Sequence, residues 1–557
     1  MDLAFHAGPQ LSHSDFVKEW QAASGLLATS MKRYVNVSRL LRDIYPSLNH
    51  VLNNTSSVWN LFDDIDNELT RLESYHSELH QVRADVGQAR NRSPRLAPIM
   101  ILPRELLAYI FELVLLAERR DYVTLEDLDT LDPPKHPDTL SIVCKYWHQV
   151  VINTPSLWAY IDLVVSGQRK KKHYTRASRL VKRAASVPLF VRIHSPEPSN
   201  SKHIQQLIDW LAPITNRIYS LDMSEGIPSK EMLSAVLKCW LEHGAPGTVK
   251  KLNLLRYSRK ARNHSYRFLE GDTLTPSPNC WQIGVSQQRL DEFLRPIKIL
   301  KLDGLFPHWH SQAYQGLTHL KLDTGRITEV ELINLLSQNL QLRTLAFNLE
   351  ILNTESRDTP VIPIRLPQLE ILALDDMEDA NVWSLLRLIA PGSGPLRLYL
   401  RIHSTIPAAN LAQTEELHAF IQRSNVRSLH LTGTTEDEDT WFPQTLSYFP
   451  RLRSLALNDY SLTQHDTAEY NSVCLSLREL HLFSCHIDID LLERLLRAHS
   501  IQFLRVVNSM VEGDGVPSLY ATEIQSMLSS LVPHVKCYKL FEEDYSEPYL
   551  DWDFMDF

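Results

Sequence analysis

Residues 477–485 read LRELHLFSC: Leu477, Leu480 and Leu482 stand three and then two positions apart, and Cys485 follows three further on. Going outward from this stretch, the same L-x-x-L-x-L spacing recurs. Upstream it appears as Ile218-Leu221-Met223, Val249-Leu252-Leu254, Ile297-Leu300-Leu302, Leu317-Leu320-Leu322, Leu342-Leu345-Phe347 and Leu369-Leu372-Leu374. A degraded copy lies at Leu396-Leu398-Leu400, followed by Val426-Leu429-Leu431 and Leu452-Leu455-Leu457; downstream stands Ile501-Leu504-Val506.

From residue 317 the copies start at 342, 369, 396, 426, 452, 477 and 501, in steps of 25, 27, 27, 30, 26, 25 and 24. That period is the one of leucine-rich repeats, roughly 20–29 residues. A strand-plus-helix unit of this size cannot bury its apolar face alone, so stacked neighbours must supply a continuous core. The step from 249 to 297 is about 20 residues too long, and the segment SRKARNHSYRFLEGDTLTPSPNCW is expected to loop out there. The alternating positions of each strand face the concave surface. They include Lys301, Asp303, His319, Lys321, Asp323, Asn348, Asp375, His430, Asn458, His481 and Phe483. Their mixed signs and hydrogen-bonding types suit a protein or peptide ligand. Any single one of them reads more readily as a solvated strand residue with no partner, and the surface as a whole is the better candidate.

The fold class is therefore α/β: an all-α N-terminal region followed by a leucine-rich-repeat solenoid, over 1–95, 96–165, 166–540 and a tail at 541–557. In the first segment Val58, Ile65, Leu72, Leu79 and Val86 recur every seven residues, with Leu61, Tyr75 and Val82 three residues after some of them. This heptad seam predicts a helix that either packs on its own domain or pairs two copies into a homodimer through residues 58–86. The tail FEEDYSEPYLDWDFMDF carries seven acidic residues and no basic one. It reads either as an unstructured acidic segment that docks or as a cap on the last repeat.

Between these segments, residues 101–163 form a helical block. Pro103 stands at a helix start, and Leu106, Leu107, Ile110, Phe111, Val114 and Leu115 form a wide apolar stripe. The polar insert DYVTLEDLDTLDPPKHPDT reads as an exposed loop, LSIVCKYWHQVV as a second helix, and NTPSLWAYIDL as a turn and a strand.

Composition narrows the function classes. The chain has 557 residues, 57 basic against 66 acidic, for a net charge of -9. It therefore has no global pull toward nucleic acid or an anionic membrane. No apolar run is long enough to span a bilayer, and the N-terminus lacks the regions of a secretory signal. The six cysteines, Cys144, Cys239, Cys280, Cys474, Cys485 and Cys537, form no CxxC and no dense framework. A reducing compartment, cytoplasm or nucleus, is expected. Cys474, His481, Cys485 and His486 read as repeat-ladder residues, so no metal or cofactor is expected. There is no phosphate loop, HExxH, GxSxG or dinucleotide fingerprint, and no enzyme is expected. The run Arg169-Lys170-Lys171-Lys172 reads as a solvated linker, with nuclear import as its alternative.

The block at 101–163 resembles an F-box, a family with a Leu-Pro-x-Glu start, an Ile-Phe pair, Cys-x-x-Trp and Pro-x-Leu-Trp. These stand here as Leu102-Pro103-Arg104-Glu105, Ile110-Phe111, Cys144-Lys145-Tyr146-Trp147 and Pro155-Ser156-Leu157-Trp158. With the heptad helix before it and LVKRAASVPLFVRI after it, the chain is similar to the large F-box families of mushroom-forming fungi. The resemblance implies a Skp adaptor bound through Leu102, Pro103, Glu105, Leu106, Ile110, Phe111, Val143, Cys144, Trp147, Val150, Pro155, Leu157 and Trp158. Through that adaptor it implies a cullin-based ubiquitin ligase, with a protein substrate held by the repeats. The alternative is an F-box scaffold acting outside ubiquitination. Trp147 and Trp158 fit two roles, interface anchor or filling of the module's own core.

Overall fold

A computed structural model of the chain describes residues 13–51, 57–91, 98–121, 136–166, 170–195, 200–225, 230–256, 266–272, 279–352, 362–377, 379–402, 415–433, 448–462, 476–512 and 521–538. The acidic tail and most of the insert at 121–139 fall outside them. The chain forms two compact units, Met1–Leu102 and Pro103–Phe557.

The first unit is two long helices, α1 (His13–Val51) and α2 (Ser57–Asn91). They lie side by side, with the Tyr34 hydroxyl donating to Glu68 Oε1 at 2.7 Å. The heptad seam lies on α2 as expected, but two helices alone do not bury it. Leu72, Tyr75, Leu79, Val82 and Val86 stay exposed, and so do Trp20, Leu27 and Leu41 of α1.

In the second unit the helical module comprises α3 (Arg104–Asp121), α4 (Asp138–Ser141), α5 (Lys145–Ile152) and a 3-10 turn at Pro155–Trp158. The expected second helix is broken in two. Cys144 is extended (φ -160°, ψ 167°), and its Sγ accepts from the Trp147 amide, capping α5. Lys170, Lys171 and Lys172 of the basic run are not a linker but open α6 (Lys170–Arg183), whose His173, Tyr174, Ala177 and Leu180 are buried, while Arg169 lies outside the described residues. Asp138 of α4 receives Arg179 at 2.7 Å and Arg176 at 3.6 Å, which ties the module to α6.

The repeats build one 14-stranded sheet, all parallel, its strands in chain order. Its inward face is a ladder of apolar rungs. One rung runs Leu221, Leu252, Leu300, Leu320, Leu345, Leu372, Leu398, Leu429, Leu455, Leu480 and Leu504 in direct register. Each of these leucines is at most 1% exposed, which is worth roughly 1.5–3 kcal/mol per side chain. Three strands lack the leucine signature: Tyr160–Val164, Leu189–Ser195 and His534–Tyr538. They extend the same rung with Ile161, Val191 and Val535. The block's last strand is thus the first strand of the sheet. The degraded copy keeps register through a bulge between Leu396 and Arg397, so that Leu398 and Leu400 occupy the core positions.

The long step between residues 249 and 297 does not simply loop out. Arg267–Glu270 is the central strand of a three-stranded side sheet, flanked by Cys280–Gln282 and Leu305–Pro307. Among the described residues no helix is long and apolar enough to cross a membrane.

Candidate functional site

Two surfaces carry the residues singled out by sequence, and the structure redistributes both sets. In the helical module the apolar stripe of α3 splits into two rows. Leu107, Phe111 and Leu115, four apart, are buried. Leu106, Tyr109, Leu113 and Leu116, alternately three and four apart, are exposed. Pro103, Glu105 and Val143 are exposed as well; Ile110, Cys144, Trp147 and Pro155 are half-buried. Leu102, half-buried, closes the first unit.

Phe111, Val150, Leu157 and Trp158 are not surface groups, contrary to the assignment of all four to a binding face. The Phe111 ring packs on Trp147 with centroids 4.7 Å apart. The Trp158 indole donates to the Val151 carbonyl at 2.8 Å, and the Arg183 guanidinium lies 4.2 Å from its ring centroid. A module this small has few large side chains, and its own core takes these. The exposed Tyr109, Leu113, Leu116, Ile142 and Ile152 escaped the sequence reading. The three-four spacing of the first three on α3 was the available signal. Exposed apolar groups gathered on one small module mark an interaction surface.

The second surface is the outward face of the repeat sheet. Register places one row across all fourteen strands: Asp162, Arg192, Asp222, Asn253, Lys301, Lys321, Ala346, Ala373, Tyr399, His430, Ala456, His481, Arg505 and Lys536. The row is zoned. Arg192 bridges Asp162 at 3.8 Å and Asp222 at 3.5 Å at its start. Lys301 and Lys321 follow, then the small residues Ala346 and Ala373. Beyond them Tyr399 meets His430 edge-on at 4.7 Å. His481 lies 6.2 Å from Phe483 and 5.6 Å from Phe503, and the Lys536 ammonium stands 6.0 Å from the Phe503 ring.

Of the residues expected on this face, Asp303, His319, Lys321, Asp323, Asn348 and His481 are half-buried. Asp375 lies on the strand Ile371–Met377, and its side chain falls outside the described residues. Lys301, His430, Asn458 and Phe483 are buried rather than presented. Neighbouring strands stand about 4.8 Å apart, so each outward side chain is flanked by two others in register. Where those are aromatic, the row closes over itself. Tyr399, Phe503, Arg505 and Lys536 were missed; Tyr399 would be legible once Leu398-Leu400 is read as the core pair.

Electrostatics follow burial. Desolvation, with a smaller contribution from His481, lowers His430 to about 3. Desolvation, with Arg343, Lys301 and Lys251, lowers His319 to about 4. Both imidazoles are neutral near pH 7. Burial pushes the Cys485 thiol up to about 12 and Cys537 to about 11, which keeps both protonated and poorly nucleophilic. This face offers hydrogen bonds, aromatic edges and fixed cations to a ligand.

Among solved structures the chain is similar to a leucine-rich-repeat protein of Leptospira interrogans. The identity is 14% over 76% of this chain and 97% of that chain, with a TM-score of 0.25. At that score the likeness carries no weight in assigning the fold, which the in-register ladder defines by itself. No protein-family model matches the chain, and no curated protein matches it significantly. The architecture is that of a leucine-rich-repeat-like solenoid, preceded in the chain by a helical module and a two-helix unit.

Proposed function

We propose that the chain is the substrate-recognition subunit of a Skp–cullin–F-box ubiquitin ligase. It binds the Skp adaptor through the helical module and a protein substrate through the outward row of the repeats. The observation that carries this reading is the division of α3. One apolar row builds the module while a second, Leu106-Tyr109-Leu113-Leu116, faces solvent in the same compact unit as an unbroken repeat ladder. The F-box resemblance supplies the identity of the occupant. The mechanism is positional: the array raises the concentration of substrate beside the ubiquitin-carrying partner, and no residue of this chain performs the chemistry. No cofactor is required, and the setting is cytoplasmic or nuclear. The test is substrate fate. Proteins captured on the array accumulate in the host cell when the cullin is inhibited; unchanged abundance of all of them contradicts the ligase role.

A second reading is favoured by the exposed seams of α1 and α2. In it the chain is a scaffold outside ubiquitination, paired through its first unit as a homodimer. It predicts a stable dimer that needs residues 58–86, together with partner levels indifferent to the cullin.

A further inference from the structure

The side sheet, built from two strands of the insertion between residues 256 and 299 together with Leu305–Pro307, gathers three metal-ligating side chains that neither surface uses. Glu270 ends the central strand of the side sheet, Cys280 begins one flanking strand, and His308 directly follows the other. The three residues are separated in sequence by 10 and 28 positions, with no motif spacing. Only the parallel pairing of the three strands brings them together.

We propose that Glu270, Cys280 and His308 form a binding site for a divalent d-block cation of the zinc type, which clips the side sheet onto the repeat array. One donor atom from each residue lies within 4.8 Å of the other two. Cys280 Sγ stands 3.7 Å from His308 Nε2, and His308 Nε2 stands 4.0 Å from Glu270 Oε1. Ligands at zinc distances of about 2.3 Å for sulfur and about 2.0 Å for nitrogen or oxygen, in a tetrahedron, lie roughly 3.5 Å from one another. Two of the three separations exceed that spacing by about half an ångström or less and the third is at most 4.8 Å, so a closure of about an ångström admits the ion and leaves the fourth position for water.

Three features favour a cation over a chance cluster. Cys280 and His308 are within reach of a sulfur hydrogen bond, but the Glu270–His308 separation is too long for one, so bonding to the imidazole does not explain why the carboxylate joins them. Among the described residues, Glu270 Oε2 is buried and has no hydrogen-bond partner. A buried carboxylate oxygen in that condition is costly, and a bound cation removes the cost. Finally, the His308 ring is held in place, stacked on Phe268 at 4.7 Å and 14° and beside His310 at 5.4 Å and 22°. This fixes the direction of its Nε2, as packing around a ligating imidazole must. The thiolate, imidazole and carboxylate donors select borderline ions and disfavour calcium and magnesium.

The test uses the full-length chain, stripped with a chelator and titrated with Co2+ and then Zn2+. The expected result is one equivalent of Co2+ giving thiolate-to-cobalt charge-transfer absorption that Zn2+ bleaches. Cys280→Ser abolishes that absorption, and Glu270→Gln, which is nearly isosteric, weakens binding at least tenfold with unchanged circular dichroism. Cys537→Ser, at a half-buried thiol elsewhere, keeps the full signal. Absence of a thiolate band in the unaltered chain, or a band that survives Cys280→Ser, overturns the proposal.

Discussion

The Phe111 ring meets the Trp147 ring at 4.7 Å and an interplanar angle of 59°, joining α3 to α5 in the core of the helical module. The pair divides the roles of neighbouring residues. Phe111 is 1% exposed, and Leu106, a turn away on the same helix, is 51% exposed. Phe111→Ala or Trp158→Ala is expected to destabilise the second unit by about 3–5 kcal/mol. Leu106→Lys should stay within about 0.5 kcal/mol of the unaltered chain. Urea unfolding followed by tryptophan fluorescence separates the two; equal losses would mean that the α3 rows are misassigned.

Arg387 donates to both carboxylate oxygens of Glu329 at 2.9 Å, and the side chains are only 15% and 2% exposed. Glu329 opens the helix Glu329–Ser337, and Arg387 lies in the helix Asp379–Leu388. Removing one partner strands a buried charge. Glu329→Gln or Arg387→Met alone should cost about 3–5 kcal/mol, whereas replacing both with apolar residues should recover most of the loss. A double-mutant cycle by denaturant unfolding measures the coupling.

His430 gives the repeat array an acid sensitivity. Its folded pKa is lowered to about 3, against about 6.5 when unfolded. Between these values the unfolded chain binds the extra proton, so stability is complete above about pH 6.5 and falls as pH drops below it. The limiting slope is roughly 1.4 kcal/mol per pH unit. His319, lowered to about 4, adds to the slope over a narrower window. His430→Phe keeps an aromatic ring against Tyr399 and cannot titrate. It should flatten urea midpoints measured from pH 4.5 to 7.5, and an unchanged slope would remove His430 from the account.

Much of this architecture was legible because the rungs are leucine. Leu477-Leu480-Leu482 and its copies announce both the strand and the face it buries. The array is longer than its signature because Ile161, Val191 and Val535 fill the same rung without spelling it. The outward row was harder to read. Alternation places His430 and Phe483 on that face correctly, but only the side chains on adjacent strands decide that they are covered. The Glu270–Cys280–His308 cluster was invisible, since its spacing follows strand pairing and no local motif. In the module the motif residues were found, but motif membership does not distinguish Trp158 in the core from Leu106 on the surface.

The first unit leads to a further expectation under the second reading. Leu72 and Leu79, both exposed on the α2 seam, would lie in the interface of a homodimer. Leu72→Glu with Leu79→Glu should convert a dimer to a monomer in multi-angle light scattering while helicity is retained. A monomer before substitution would eliminate pairing through this unit.

Under the proposed function the exposed row of α3 binds a Skp adaptor. The most direct measurement is co-purification of the full-length chain with a fungal Skp adaptor, comparing the unaltered chain with Leu106→Lys/Leu113→Glu. The unaltered chain should form a stoichiometric complex and the variant none, while the variant's unfolding midpoint stays the same. Absence of a complex with the unaltered chain, or equal capture by the variant, would contradict it.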